Sequence, residues 1–220
     1  MAIAFRSLRF CSESFAAARF TAGVDPGVTT AHQTAMSGLC VNKMNSNDFW
    51  VFGYGSLMWR PGFDHAETRM ARLYGYHRAL CVWSHVHRGT PERPGLVLGL
   101  DRGGSCLGMA FRVPGRAREA VMEYLRAREL VTSVYRETHH RVRLETGTEV
   151  EAVAYVIDRK HVQYSGPLST EDAVRAVHGA VGQSGPNEVY VRNTVEHMRS
   201  LKIRDHRLEA IVRALPPVTD

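Results

Sequence analysis

Two places in this sequence have residue types and spacing that could do chemistry. The first is Gly53-Tyr-Gly-Ser56, which closes the short apolar run Asp48–Phe52. Glycines one residue apart let the chain turn sharply and approach a ligand closely. Successive backbone N–H groups in such a turn can cradle an anion such as a carboxylate. Ser56 adds a hydroxyl, and Tyr54 adds an aromatic wall with a polar tip. A dinucleotide-binding loop would need a third glycine and a following helix, and Leu57-Met-Trp-Arg-Pro61 supplies neither. The plain alternative is an ordinary turn.

The second place is Glu129. Over Arg116–Glu129, Val121, Tyr124, Leu125 and Glu129 follow one another at i, i+3, i+4 and i+8, an apolar helical stripe that ends on a carboxylate. Glu119 and Glu123 fall off that stripe. Partial burial and the negative end of the helix both disfavour the ionised form, so the pKa of Glu129 should rise. A group that takes and returns a proton near neutrality needs such a pKa. The competing reading is a boundary glutamate paired with Arg126 or Arg128.

Other chemistries find less support. His85 and His87 alternate, and His139 and His140 are adjacent, but no carboxylate or cysteine stands at ligand spacing, so no metal site is expected. Ser56 lacks a nucleophile elbow. Cys81 and Cys106 lie in apolar runs and read as core. The loop His87–Gly95 offers Arg88 as a partner for a substrate carboxylate, and Tyr164-Ser-Gly-Pro167 offers a phenol. Both also read as solvated connections.

These residues need elements to hold them. Strand patterns fall at Asp48–Phe52, Ala79–Trp83, Gly95–Leu100, Leu107–Val113, Tyr135–Leu144 and Val150–Ile157. Helices follow at Arg116–Glu129, after a Ser169 cap, from Pro186 towards Leu201, and from His206 to Leu215 behind an Asp205 cap. Strands dominate early and helices gather late, which predicts an α+β domain with a strongly bent or closed sheet.

The 220 residues suit one domain with an appendage. Residues 1–47 carry Arg6, Arg9, Arg19 and Lys43 against Glu13 and Asp25, without periodicity, and read as a disordered extension: an over-long start or an organelle leader. Residues 48–220 read as the domain. Four cysteines without C-x-x-C spacing suggest neither zinc nor a disulfide framework, and point to a reducing compartment, by default the cytoplasm. The net charge of +6 fits a small anionic substrate as readily as nucleic acid and decides little by itself. No basic block or apolar run argues for nucleic-acid or membrane partners.

Taken together, Trp50–Trp59, His87-Arg-Gly89 with Pro94-Gly95, Tyr124-Leu-Arg-Ala-Arg-Glu129, Tyr164–Pro167 and Ser184-Gly-Pro-Asn187 resemble the ChaC family of glutathione-specific γ-glutamylcyclotransferases. The resemblance spans about residues 48–215 in family order, and its opening ten-residue motif is highly specific. It implies a γ-glutamylcyclotransferase-like fold, a small bent or barrel-like sheet with flanking helices. It also implies cleavage of glutathione to 5-oxoproline and cysteinylglycine by a monomer without cofactor or metal. By that resemblance Val51, Phe52, Gly53, Tyr54, Gly55, Ser56 and Leu57 hold the γ-glutamyl group, Glu129 is the catalytic acid/base, and Tyr164 binds substrate. One departure stands out. Many relatives run from the glutamate directly into Gly-Gly-Tyr, whereas here Leu130-Val-Thr-Ser-Val-Tyr135 intervenes. That departure keeps other γ-glutamyl substrates open, and the family's historical name keeps open a non-catalytic role in cation transport.

Overall fold

The computed structural model describes residues 47–217; the expected extension over residues 1–47 lies, but for Asn47, outside them. Five strands close into a barrel in the order β1-β3-β2-β4-β5, with β1 (Phe49–Gly53), β2 (Glu67–Ser84), β3 (Gly95–Val113), β4 (Tyr135–Leu144) and β5 (Glu149–Ile157). The closing contact is parallel, pairing Trp50 with Ala152 and Val51 with Val153. Every residue of β1 is buried, which explains why it reads as an uninterrupted apolar run rather than an alternating one. Trp50 and Phe52 pack into one hydrophobic cluster, Phe49 and Val51 into another.

β2 and β3 are longer than their apolar patterns predict. The expected Ala79–Trp83 is only the end of an 18-residue strand, and the two expected strands at Gly95–Leu100 and Leu107–Val113 are one strand of 19 residues. The polar stretch between them is paired rather than looped out: Tyr76 opposes Arg102 and Tyr74 opposes Ser105, with a register shift between. Gly75, Gly103 and Gly104 take positive φ values of 83°, 103° and 69° at that shift, conformations open to glycine at low cost.

Helix α1 (Arg118–Glu129) covers one side, burying Val121, Met122 and Leu125 against Phe49, Val51, Leu57, Val153 and Tyr155. Helices α2 (Thr170–Val177), α3 (Asn187–Ser200) and α4 (His206–Ala214) join the larger cluster through Val177, Val191, Val195 and Leu208. The Ser169 cap forms as expected, its hydroxyl oxygen accepting from the Asp172 N–H at 3.0 Å. Asp205 caps α4 at the Leu208 N–H, 3.2 Å away. Pro186 precedes α3 as its N-cap instead of being its first residue. A two-residue hairpin, β6 (Val181–Gly182) with β7 (Gly185–Pro186), leads into α3.

Candidate active site

The turn after β1 and the end of α1 meet. A cleft of about 80 Å³ is lined by Tyr54, Gly55, Ser56, Leu57, Val97, Leu98, Glu129, Tyr135, Tyr155 and Tyr190. The turn continues as a short 3-10 helix, Ser56–Met58, with the Met58 N–H donating to the Gly55 carbonyl at 2.9 Å. Space is tight behind it. A Cβ on Gly53 would stand 3.0 Å from the Leu57 Cβ, and one on Gly108 would stand 2.3 Å from the Gly53 carbonyl oxygen. Val51 and Phe52 bury their side chains in opposite clusters, and neither they nor Gly53 line the cleft. They pack the strand that leads into the turn.

Glu129 ends α1, one turn beyond the fully buried Leu125. Its side chain is 18% exposed, and burial pushes its carboxyl above the ordinary glutamate range, overriding the neighbouring Arg128 guanidinium that acts to lower it. The anticipated arginine pairing is therefore real and coexists with the raised pKa: Arg128 Nε lies 3.2 Å from Glu129 Oε1. Arg126 turns away to Glu137, with two contacts of 2.8 Å. Tyr124, expected on the buried stripe, is exposed at its rim and accepts from Arg128 at 2.9 Å. Arg128 also donates to Ser56 Oγ at 2.9 Å and to the Arg60 carbonyl at 2.8 Å, so it ties the helix end to the turn.

Three tyrosines from distant segments complete the wall, and sequence patterns did not single them out. Tyr135 donates to the Leu98 carbonyl at 2.6 Å, and the Tyr190 hydroxyl accepts from the Leu98 N–H at 3.2 Å. Tyr155 donates to Glu137 at 3.3 Å. Burial holds the hydroxyls of Tyr54, Tyr135, Tyr155 and Tyr190 above the usual phenol range, and the Glu129 carboxylate adds to each shift, so all four stay neutral. For Tyr155 the available signal was a tyrosine in the apolar run of β5, where the ring fills core and the hydroxyl needs a partner; Tyr135 and Tyr190 stand in mostly polar elements and carried no such signal.

Tyr164 is placed differently from the expectation. It is absent from the cleft lining; its hydroxyl donates to Asp101 Oδ2 at 2.8 Å, while Arg159 holds Asp101 Oδ1 at 2.6 Å. A bridge between Tyr164 and Val82 anchors its loop on β2, which directs the ring onto the Asp101 pair. Two other motif loops do gather beside the cleft. Ser184 N–H donates to the His87 carbonyl at 2.9 Å, Arg88 donates to the Ser184 carbonyl at 2.5 Å, and the Arg88 guanidinium lies 5.0 Å from the centre of the Tyr190 ring. Asn187 is fully buried and clamps Leu96 twice, accepting from its N–H at 2.7 Å and donating to its carbonyl at 2.8 Å. The motif asparagine thus docks α3 onto the strand that carries Leu98.

Cys81 and Cys106 are buried, as expected, and burial raises both thiols, Cys81 to about 12. Among the described residues, no group of three or more His, Cys, Asp or Glu side chains could hold a metal ion, and no helix is long and apolar enough to cross a membrane.

The chain is similar in sequence and fold to known proteins. A family model described as ChaC-like protein matches residues 49–216. The chain is 32% identical over 163 residues to the glutathione-specific γ-glutamylcyclotransferase of Escherichia coli (strain K12), covering 74% of this chain and 71% of that one. It is 32% identical over 180 residues to glutathione-specific γ-glutamylcyclotransferase 1 of Homo sapiens, covering 79% and 81%. A crystal structure of a γ-glutamyl cyclotransferase specific to glutathione from yeast superposes with a TM-score of 0.67 at 21% identity, over 76% of this chain and 95% of that one, which shows a common fold. With the family model spanning the whole barrel and its flanking helices, this chain belongs to the ChaC family.

Proposed function

We propose that this protein cleaves glutathione to 5-oxoproline and cysteinylglycine, with Glu129 as the single acid/base. The observation that carries this reading is Glu129 itself, a buried carboxyl of raised pKa at one wall of a cleft whose other wall is the Tyr54–Leu57 turn. The reaction is an internal transfer. The α-amine of the γ-glutamyl unit attacks its own γ-carbonyl carbon, a C–N bond forms, and a five-membered ring closes. The bond to the cysteinyl nitrogen then breaks. The attacking amine must be neutral, so a carboxylate takes one proton from it; the leaving nitrogen needs a proton, and the same group returns it. No water, cofactor or change of oxidation state enters the balance.

The other residues position. Backbone N–H groups of the turn and the Ser56 hydroxyl supply donors for the γ-glutamyl unit, at its α-carboxylate or at the oxyanion that develops on the γ-carbonyl. The neutral tyrosines pack around the cleft beside Glu129 and keep it desolvated. Arg88, beside Tyr190, brings positive charge to the end where the glycyl carboxylate of the leaving dipeptide would lie. Tyr164 stands outside the cleft lining, with its hydroxyl donating to Asp101.

A broader γ-glutamyl specificity is the second reading, favoured by the Leu130–Tyr135 stretch that follows Glu129, where Val131 stands 72% exposed. The test is incubation of the purified chain with reduced glutathione, with and without EDTA, and mass spectrometry for 5-oxoproline and cysteinylglycine. Both products in equal amounts in both arms support the reaction as written; a folded sample that yields neither rejects glutathione as substrate.

A further inference from the structure

The turn that lines the cleft is held from behind by an arginine that also faces a second, larger cavity. Arg78, on β2, is 5% exposed. Its Nε donates to the Tyr54 carbonyl at 2.5 Å and its Nη2 to the Leu107 carbonyl at 2.8 Å, with the Met58 sulfur 3.8 Å away. Its Nη1 reaches Asp205 Oδ2 at 3.4 Å. The same side chain lines a cavity of about 610 Å³ between the β2–β3 register shift and the start of α4.

Charge in that cavity is one-sided. Arg72, Arg78, Arg204 and Arg207 converge on it with two histidines, against the single acid Asp205. Asp205 is already committed to Arg78 and to capping the Leu208 N–H. Arg204 has Glu209 at 3.5 Å. Arg72 spends an N–H on Ser105 Oγ at 3.1 Å, and among the described residues neither Arg72 nor Arg207 has an acidic group within ion-pair distance. Cys106, Leu107 and Ile203 give the cavity an apolar floor.

From this geometry we infer that the cavity binds a small phosphate-bearing ligand. Guanidinium groups arriving from a strand, a loop and a helix surround an anion with oxygens on several sides, which describes a phosphoryl group better than a planar carboxylate. The volume lies in the range of small-molecule sites. Apart from its histidines the lining has no aromatic side chain on which bases could stack, which argues against a nucleic-acid strand. A bound phosphoryl group would compete with Asp205 for Arg78 Nη1, and Arg78 carries that change to Tyr54 and Met58 behind the cleft.

The test reads binding and not turnover, so it stands apart from the glutathione reaction. Inorganic pyrophosphate is titrated into the full-length protein by calorimetry at constant ionic strength, beside sodium sulfate and sodium chloride. The Met58 methyl resonance is followed in ¹³C-methyl-methionine NMR. Saturable one-site binding is expected, with the Met58 resonance moving along the same isotherm. Arg72→Gln with Arg207→Gln should weaken binding about tenfold or more, as charged hydrogen bonds are lost. Arg207→Gln alone, at an exposed position on α4, serves if the double variant folds poorly. Absence of saturable binding, unchanged affinity in the variants, or an equal response to sulfate and chloride overturns the inference. So does tight poly(U) binding that pyrophosphate does not displace, which would make the basic face a nucleic-acid surface.

Discussion

Replacing Glu129 by Gln separates a catalytic carboxyl from a structural ion pair, because the two roles predict opposite signs of stability change. The amide keeps the shape of the side chain and one acceptor for Arg128, 3.2 Å away, but cannot take a proton from an amine. General acid–base catalysis contributes about 10²–10⁴-fold, so kcat on glutathione should fall by that factor while KM stays close to wild type. Stability follows from the raised pKa. Burial lifts the carboxyl above its ordinary value despite Arg128, so the folded protein binds this proton more tightly than the unfolded chain does. Folded stability therefore falls as pH rises from the ordinary glutamate pKa through the raised one, and the penalty persists at neutral pH. The neutral Gln side chain carries no such penalty. Glu129→Gln should be at least as stable as wild type at pH 7, with its advantage shrinking towards pH 4. A structural Arg128–Glu129 ion pair would instead be net stabilising, and its loss would lower Tm by roughly 2–4 °C per kcal/mol in a domain of this size. Thermal melts at pH 4 and pH 7 beside a glutathione turnover assay decide the matter. A variant that keeps more than about a tenth of wild-type kcat, or that melts lower at pH 7 than at pH 4 relative to wild type, refutes the assignment.

Four further outcomes follow from the same geometry. Arg128→Met removes the charge that restrains the Glu129 pKa, so the acid limb of kcat/KM should move to higher pH; an unmoved limb would show that another group titrates. Gly108→Ala forces a Cβ to within 2.3 Å of the Gly53 carbonyl oxygen and 2.8 Å of the Phe52 ring, and should cost about 1–3 kcal/mol in urea unfolding; an unchanged midpoint would mean that β1 and β3 can part without loss. Asn187→Ala leaves the Leu96 N–H and C=O buried without their side-chain partner, at about 1–3 kcal/mol for each group, and denaturant melts reporting less than 1 kcal/mol in total would argue that water replaces the clamp. If Arg88 reads the dipeptide end, kcat/KM on glutathione should exceed that on γ-glutamyl-alanine, and Arg88→Met should shrink the ratio; a ratio near unity in the wild type would favour the broader specificity.

Much of the fold was legible because its signals are local. The β1 run, the Ser169 and Asp205 caps and the Tyr135–Leu144 strand depend on a few neighbouring residues, and each appears where its pattern placed it. The first half of β2 and the middle of β3 were not legible. Residues 67–78 and 101–105 are rich in charged side chains, and their strand character comes from pairing: residues 67–73 lie against 106–112, and residues 74–77 against 101–105 across the shift at Gly75. Partners as far apart in sequence as Glu67 and Arg112 leave no trace in a short window. The same limit hid the parallel β1–β5 contact that closes the barrel.

The candidate site divides along the same line. Sequence alone determined that residues 53–57 form a tight turn and that Glu129 ends an apolar helical stripe, since glycine spacing and helical period are properties of adjacent residues. It also carried the family resemblance. Only the tertiary structure decided which groups share a cleft. It brought Tyr135, Tyr155 and Tyr190 from two strands and a helix to face Glu129, and it assigned Tyr164 to Asp101. It also decided the balance at Glu129, where desolvation by these neighbours outweighs the adjacent arginine. Desolvation depends on everything packed around a charge, and that packing exists only once the barrel has closed and α1 and α3 have docked on it.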